Sequence, residues 1–197
     1  MKVKALLLSI LVFCGCLTAH SSKAQDVAVK TNLFYGIYTL TPNLSLEIGL
    51  SDRTTLDVGV GYNPWNLEGS EEDNKKLVHF LGNVEYRYWL CEKFNGHFFG
   101  IHALGSTYNI AGHELPLLFG KDSESYRHEG WAAGAGMSYG YQFVLSRRWN
   151  LEANIGLGYV YMKYDKYHCN KCGDIVSTAR RDYFGPTKGG ISLIYAF

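Results

Sequence analysis

From Val27 to Phe197 large apolar residues recur at every second position, and this period constrains the chain more than any other feature. A helix would need apolar spacings of three and four. A period of two places alternate side chains on opposite faces of a strand. In the first segment Val29, Thr31, Leu33, Tyr35 and Ile37 share one face, and Lys30, Asn32, Phe34, Gly36 and Tyr38 share the other. The second sets Leu44, Leu46, Ile48 and Leu50 against Asn43, Ser45, Glu47 and Gly49. The third sets Leu56, Val58, Val60 and Tyr62 against Thr55, Asp57, Gly59 and Gly61. Leu77 to Leu90 carries Val78, Phe80, Val84, Tyr86 and Tyr88 opposite His79, Asn83, Glu85 and Arg87. In the fifth segment Phe99, Ile101 and Ala103 lie opposite Gly100, His102 and Leu104. Trp131 to Phe143 and Trp149 to Tyr161 repeat the pattern, each with a large apolar face and a face of Gly, Ser, Asn, Gln or Glu. Gly189 to Phe197 ends the chain with Ile191, Leu193, Tyr195 and Phe197 on one side.

The connections carry a second pattern. A short link around Pro42 follows the first segment, and tight turns follow the second, fourth and sixth: Ser51 to Thr54, Cys91 to Asn95, and Ser146 to Arg148. Long polar stretches follow the third, fifth and seventh: Asn63 to Lys76, Asn109 to Glu129, and Lys163 to Asp182. Eight strands with long loops on one side and short turns on the other predict an all-β, antiparallel, up-and-down transmembrane β-barrel. The glycines of the polar face suit the crowded interior of so small a barrel. Tyr88, Phe143, Trp149 and Phe197 at one end, and Tyr62, Trp131 and Tyr161 at the other, fit interfacial aromatic girdles.

The N-terminus agrees with export. Lys2 and Lys4 precede an apolar run from Ala5 to Leu17, which is too short to span a bilayer. Small residues then lead to Ala24, so residues 1–24 read as a removed signal peptide, Gln25 as the mature start, and 25–197 as one barrel domain. Lipidation would need Cys14 or Cys16, and Phe13 and Gly15 make poor lead-ins to either. No later apolar run is long enough for a membrane helix, and a net charge of +1 gives no footprint for nucleic acid. Export leaves Cys91, Cys169 and Cys172. Cys169 and Cys172 are spaced for a short-loop disulfide, for free thiols, or with His168 for half a metal site. A lone pair falls short of the four ligands of structural zinc, so no metal or cofactor is expected.

A leader, eight alternating strands and a terminal aromatic strand together resemble small outer-membrane barrels of the OmpA-like or OmpX-like kind. The stretch Val29-Lys30-Thr31-Asn32-Leu33 and the strand start Asn150-Leu151-Glu152 are similar to an uncharacterised family, a domain of unknown function, of Gram-negative envelope proteins often encoded near fimbria components. The resemblance implies an integral outer-membrane location, contact with outer-membrane lipid, and Tyr195 and Phe197 as the signal read by the outer-membrane insertion machinery. It also implies a non-enzymatic structural, surface-assembly or adhesion role, with surface fimbria or adhesin components as partners.

Two alternatives are a lipid-modifying hydrolase or acyltransferase of the outer membrane and a soluble or periplasmic ligand-binding β-barrel. For catalysis the candidates are His79, His102 and His113 with Ser106 and Glu114, but no nucleophile motif surrounds the serine. The acidic run Glu68 to Asp73 and the basic pair Arg180-Arg181 mark loops without defining a ligand. Parity makes a sharper statement about the interior. Lys30, Glu47, Asp57, Glu85, Arg87 and Glu152 all face inward near the short-turn side, so they predict a lumen charge network centred on Arg87, with Asp57 as its nearest partner and Glu47 or Glu152 reaching across. In a wet channel, by contrast, each would be solvated separately.

Overall fold

The computed structural model describes residues 26–38, 40–69, 74–112, 126–168 and 174–197. Among them the elements run β1 (Val27–Asn32), α1 (Leu33–Tyr38), β2 (Asn43–Gly49), β3 (Thr54–Asn63), β4 (Asn66–Gly69), β5 (Asn74–Trp89), β6 (Gly96–Ala111), β7 (Tyr126–Val144), β8 (Trp149–His168) and β9 (Ile175–Ala196). Each strand pairs antiparallel with its neighbours. β3 pairs with β5 and β9 returns to β1, so eight staves close into a ring, with β4 prolonging β3 along the far end of β5. The fold is an all-β up-and-down barrel, as the alternation predicts. Closure leaves no edge along the paired part of the ring.

Side-chain parity follows the sequence pattern. Val58, Tyr86, Ile101, Met137 and Leu157 point outward and are exposed, whereas Asp57, Glu85, His102, Ser138 and Gly158 on the same strands are buried. The short turns lie on the side of the two described chain ends. Ser51 Oγ and Thr54 Oγ1 are 2.7 Å apart and the backbone N–H of Leu50 donates to Thr54 O at 2.8 Å, closing the turn between β2 and β3. Between β5 and β6 the chain reverses with positive φ at Phe94 (63°) and Gly96 (77°). Ser146 Oγ accepts from the Trp149 N–H at 3.1 Å in the turn before β8.

Three expected boundaries move. The first strand stops at Asn32 and not near Tyr38, because Asn32 Oδ1 accepts the Phe34 N–H at 2.9 Å and caps a six-residue helix. Asn43 secures the exit by accepting from Asn32 N at 2.6 Å and donating to Asn32 O at 2.9 Å. The apolar residues at 33, 34 and 37 suit one side of a helical turn as well as they suit a strand. The stretch Lys163 to Asp182 is also not all loop. Tyr164↔Ala179 and Lys166↔Ser177 pairs carry β8 and β9 well past the expected end, and β7 joins them from Tyr126. Cross-strand contacts hold this extension: the Arg127 guanidinium lies 4.3 Å from the Tyr167 ring centre and Lys166 Nζ 4.0 Å from that of Tyr126. The stretch Asn63 to Lys76 likewise contains β4 and the start of β5.

Candidate functional site in the barrel lumen

The lumen is built in layers. At the short-turn end Trp89 and Phe98, both without accessible surface, pack with ring centres 4.9 Å apart and planes tilted by 46°, and Phe94, Ile194, Ala28 and Ala196 complete an apolar plug. The sequence pattern left this plug unseen because Phe98 and Phe99 are adjacent and Trp89 ends its strand. In the structure Phe98 turns inward and Phe99 outward. Gly140 makes room for it, since a Cβ there would collide with the Phe98 ring.

Immediately above the plug the structure brings Lys30, Glu47, Asp57, Glu85, Arg87 and Glu152 together. The strand register places them: β1 to β3, β5 and β8 each contribute at one level, with Glu47↔Asp57 and Asp57↔Glu85 directly paired in the ladder. Arg87 sits at the centre. Its Nε donates to Glu85 Oε2 at 2.6 Å, Nη1 to Glu152 Oε2 at 2.7 Å and Glu47 Oε2 at 3.1 Å, and Nη2 lies 3.0 Å from Asp57 Oδ2. Lys30 Nζ reaches Asp57 Oδ2 at 2.5 Å and Glu47 Oε2 at 2.7 Å. Lys188 closes the group by donating to Glu85 Oε2 at 2.6 Å. Three cations thus face four carboxylates in a layer where all but Lys188 are buried.

The remaining oxygens of the three glutamates are also engaged, while Asp57 Oδ1 has no hydrogen-bond partner. Thr55 donates to Glu47, Ser138 donates to Glu85, and Asn154 Nδ2 donates to Glu152 Oε1 at 2.7 Å. Trp89 Nε1 donates to Thr55 Oγ1 at 3.0 Å, and the Arg87 guanidinium lies 4.3 Å from the centre of the Phe98 ring, so plug and charge layer form one packed unit. Gly100 permits this approach: a Cβ on it would stand 2.5 Å from Ser138 Oγ and 2.8 Å from Glu85 Oε1. Lys30, Arg87 and the four carboxylates each have at least two partners, and the part-exposed Lys188 has Glu85, the condition under which buried charge is tolerated.

Lys188 is the member that strand reading missed. It lies just before the glycines where the terminal strand was expected to begin. The β8–β9 register shifts so that Gly156 and Leu157 pair with Lys188 and Pro186, leaving Thr187 as a bulge. The bulge turns two consecutive side chains inward, Lys188 to Glu85 and Thr187 Oγ1 to His102 Nε2 at 2.9 Å. A proline nearby is the available signal, since Pro within a strand marks an edge or a bulge.

Above the charges the lumen widens into a cavity of about 350 Å³. Its floor is formed by Lys30, Asp57, Arg87, Glu152 and Lys188, and its upper wall on the β5–β8 side by Leu81, Leu104, Tyr108, Ile110, Val160 and Met162. Small inward residues at Gly59, Gly61 and Ala132 border the space.

The other candidates scatter. His79 Nε2 lies 3.4 Å from Thr41 Oγ1, and Ser106 Oγ is occupied as a donor to the Phe80 carbonyl at 2.8 Å. His113, Glu114, Ala24, Gln25, Cys169 and Cys172 lie outside the described residues, as do 70–73 of the acidic run. Arg180 and Arg181 stand on β9, not in a loop. Cys91 is exposed and free. Tyr195 and Phe197 face outward with ring centres 5.0 Å apart, and the Phe197 N–H donates to Val27 O at 2.9 Å. Among the described residues no group of His, Cys, Asp and Glu is arranged to hold a metal ion.

A closed eight-stranded β-barrel with a plugged, charged lumen is the class that this geometry defines. The chain belongs to a family of proteins of unknown function, DUF3575, which matches it over residues 8–197. No curated protein matches it. No solved structure matches it either.

Proposed function

We propose that the protein is an integral, non-enzymatic component of the bacterial outer membrane, with a structural or surface-assembly role carried by the side opposite the short turns. The observation that supports this most is the outward surface. Phe80, Phe99, Ile101, Met137, Ile155 and Leu157 are all about half exposed or more, and the cross-strand pairs Ile101↔Met137 and Met137↔Leu157 make the exposed apolar surface continuous, as at a surface that meets lipid or protein. Aromatic residues border this belt, with Trp149, Tyr195 and Phe197 clustered at the short-turn end and Trp131 and Tyr161 in contact at the other. From Trp149 to Tyr161 a strand tilted by ~45° rises about 29 Å, close to the hydrocarbon thickness of ~30 Å. No helix among the described residues is long and apolar enough to cross a membrane, so the strands are the spanning elements in this reading.

The rest of the assignment follows from it. Residues 1–24 act as an export signal cleaved before Gln25, and the Tyr195-to-Phe197 end serves the insertion machinery. The extensions of β7, β8 and β9 rise above the belt and offer the surface for fimbria or adhesin components. Catalysis is not part of the proposal: Ser106 spends its hydroxyl on a backbone carbonyl, while His79 lies against Thr41 and His102 against Thr187. The deciding experiment deletes the gene and compares surface fimbriae with envelope permeability. Loss of fimbriae with an intact barrier supports the assembly role. Altered permeability with normal fimbriae points to an envelope role, and a protein recovered from the soluble periplasmic fraction overturns the membrane assignment.

A further inference from the structure

The wall of the barrel is not uniform. β1 leaves the sheet at Asn32, which pairs with Ser192, and β2 begins only at Asn43. Among the described residues no strand therefore pairs with β9 on that side from Ile191 upward, where α1 and the non-strand residues 40–42 stand between β1 and β2. This break lies at the level of the outward apolar belt: β9 residues 184 and 186 pair there with Tyr159 and Leu157. α1 leans on β9, and the exposed residues on both sides are apolar, with Ile37 82% and Phe184 80% accessible, the two most exposed large hydrophobic side chains described. Irregular backbone at membrane depth is found where it is packed in protein or lines a cavity. Here it lines a cavity: Tyr35 and Thr41 from the crossing segment, Asn32 at the end of β1, and Tyr183 and Pro186 from β9 border the same space as Leu104, Val160 and Met162.

We infer that this cavity takes a single unbranched hydrocarbon chain, which passes between α1 and β9 and lies against Leu81, Leu104, Val160 and Met162 above the charge layer. The volume of about 350 Å³ falls in the range of small-ligand sites, and the lining of its upper part is chemically that of an alkyl pocket. The charged floor sets the depth, because every ion there already has its partners and an alkyl terminus gains nothing by displacing them. The chain comes either from a free fatty acid or from an acyl tail of a membrane lipid. The route from the bilayer rests on the membrane proposal, while the pocket itself does not.

Alternation along the strands makes the test unambiguous, since inward and outward residues are labelled separately. The protein is reconstituted in lipid nanodiscs with dodecanoic acid carrying a diazirine on its chain, or with phosphatidylethanolamine bearing the same group on one tail. After photolysis the modified residues are mapped by mass spectrometry. Labelling of Leu104, Val160 or Met162 is expected, at least tenfold lower in Leu104→Trp, which fills the space. Val160→Phe is the second filling variant should Leu104→Trp fail to fold, folding being read from the gel mobility of unboiled protein. Inward labelling by the free acid alone assigns a fatty acid, and inward labelling by the phospholipid assigns a membrane lipid tail. Labelling confined to the outward Ile101, Met137 and Leu157 overturns the pocket. Were the protein to fold in plain buffer, inward labelling by dodecanoic acid there would retain the pocket while removing the membrane route.

Discussion

The two halves of the lumen are built on opposite principles. The half near the short turns is filled: aromatic rings pack against a layer of paired ions, and Trp89, Phe98, Arg87, Glu47 and Glu85 have no accessible surface. The half above holds a cavity of about 350 Å³ with Leu81, Leu104, Val160 and Met162 in its upper wall, beside a stretch where, among the described residues, no strand pairs with β9. Eight strands suffice to seal a barrel only where large side chains project inward from every stave. Where glycine and alanine take those positions, the same staves leave room. The difference teaches that closure and capacity are assigned to separate levels of one wall, so substitutions at the two levels have different consequences.

The largest contrast is expected at Arg87. Arg87→Met strands Glu47, Asp57, Glu85 and Glu152 in a dry layer, and the loss should reach about 3–5 kcal/mol, the range for breaking a buried ion group by removing one partner. Urea unfolding of the protein in lipid vesicles measures it. A loss near zero would mean that the carboxylates are individually hydrated and that the sealed half is wet.

A matched pair of deletions sharpens the comparison. Phe98→Ala, in the plug, should cost about 3–5 kcal/mol because nothing can collapse into the void, whereas Leu104→Ala, on the border of an existing cavity, should cost about 1 kcal/mol or less. Equal costs would erase the distinction between the halves. Gly100→Ala should follow with a cost of about 1–3 kcal/mol, since its Cβ intrudes on Ser138 and Glu85. Thermal unfolding of the same preparations ranks it between the two.

The smallest effect on the folded state is expected at the end of the chain. Phe197 is half exposed beside Tyr195, so Phe197→Ser should change unfolding by no more than about 0.5 kcal/mol while reducing the amount inserted in cells several-fold. Insertion in cells and refolding in detergent are compared side by side, and parallel losses would make Phe197 a packing residue.

Much of this architecture is legible in residue order because a closed barrel enforces strict alternation: each outward Ile or Tyr implies an inward neighbour, and that rule alone puts Glu47, Asp57, Arg87 and Glu152 in the lumen. The rule fails where the backbone departs from it. Asn32 caps a helix inside an apolar run that also alternates, so the break in the wall carried no periodic sign. Thr187 bulges, which shifted Lys188 beyond the expected strand. The upper parts of β8 and β9 are built from Tyr, Lys, Asp and Arg, and polarity there resembles a loop although cross-strand rings and cations pair it as a sheet. Parity puts Phe99 outward with Ile101, but the contact of its neighbour Phe98 with Trp89 at the end of another strand carries no periodic sign. The cavity arises from the absence of bulk at several distant positions, a property that no local window of sequence contains.

The claim that organises the account is that the exposed apolar belt faces lipid, and refolding of the urea-denatured chain tests it most directly. In vesicles of short-chain phospholipid the protein should regain β-structure and run with altered mobility when loaded unboiled, because a closed barrel resists detergent until heated. In plain buffer the same chain should aggregate. A monomer that folds completely in buffer, with the same spectrum and stability as in vesicles, would contradict the account.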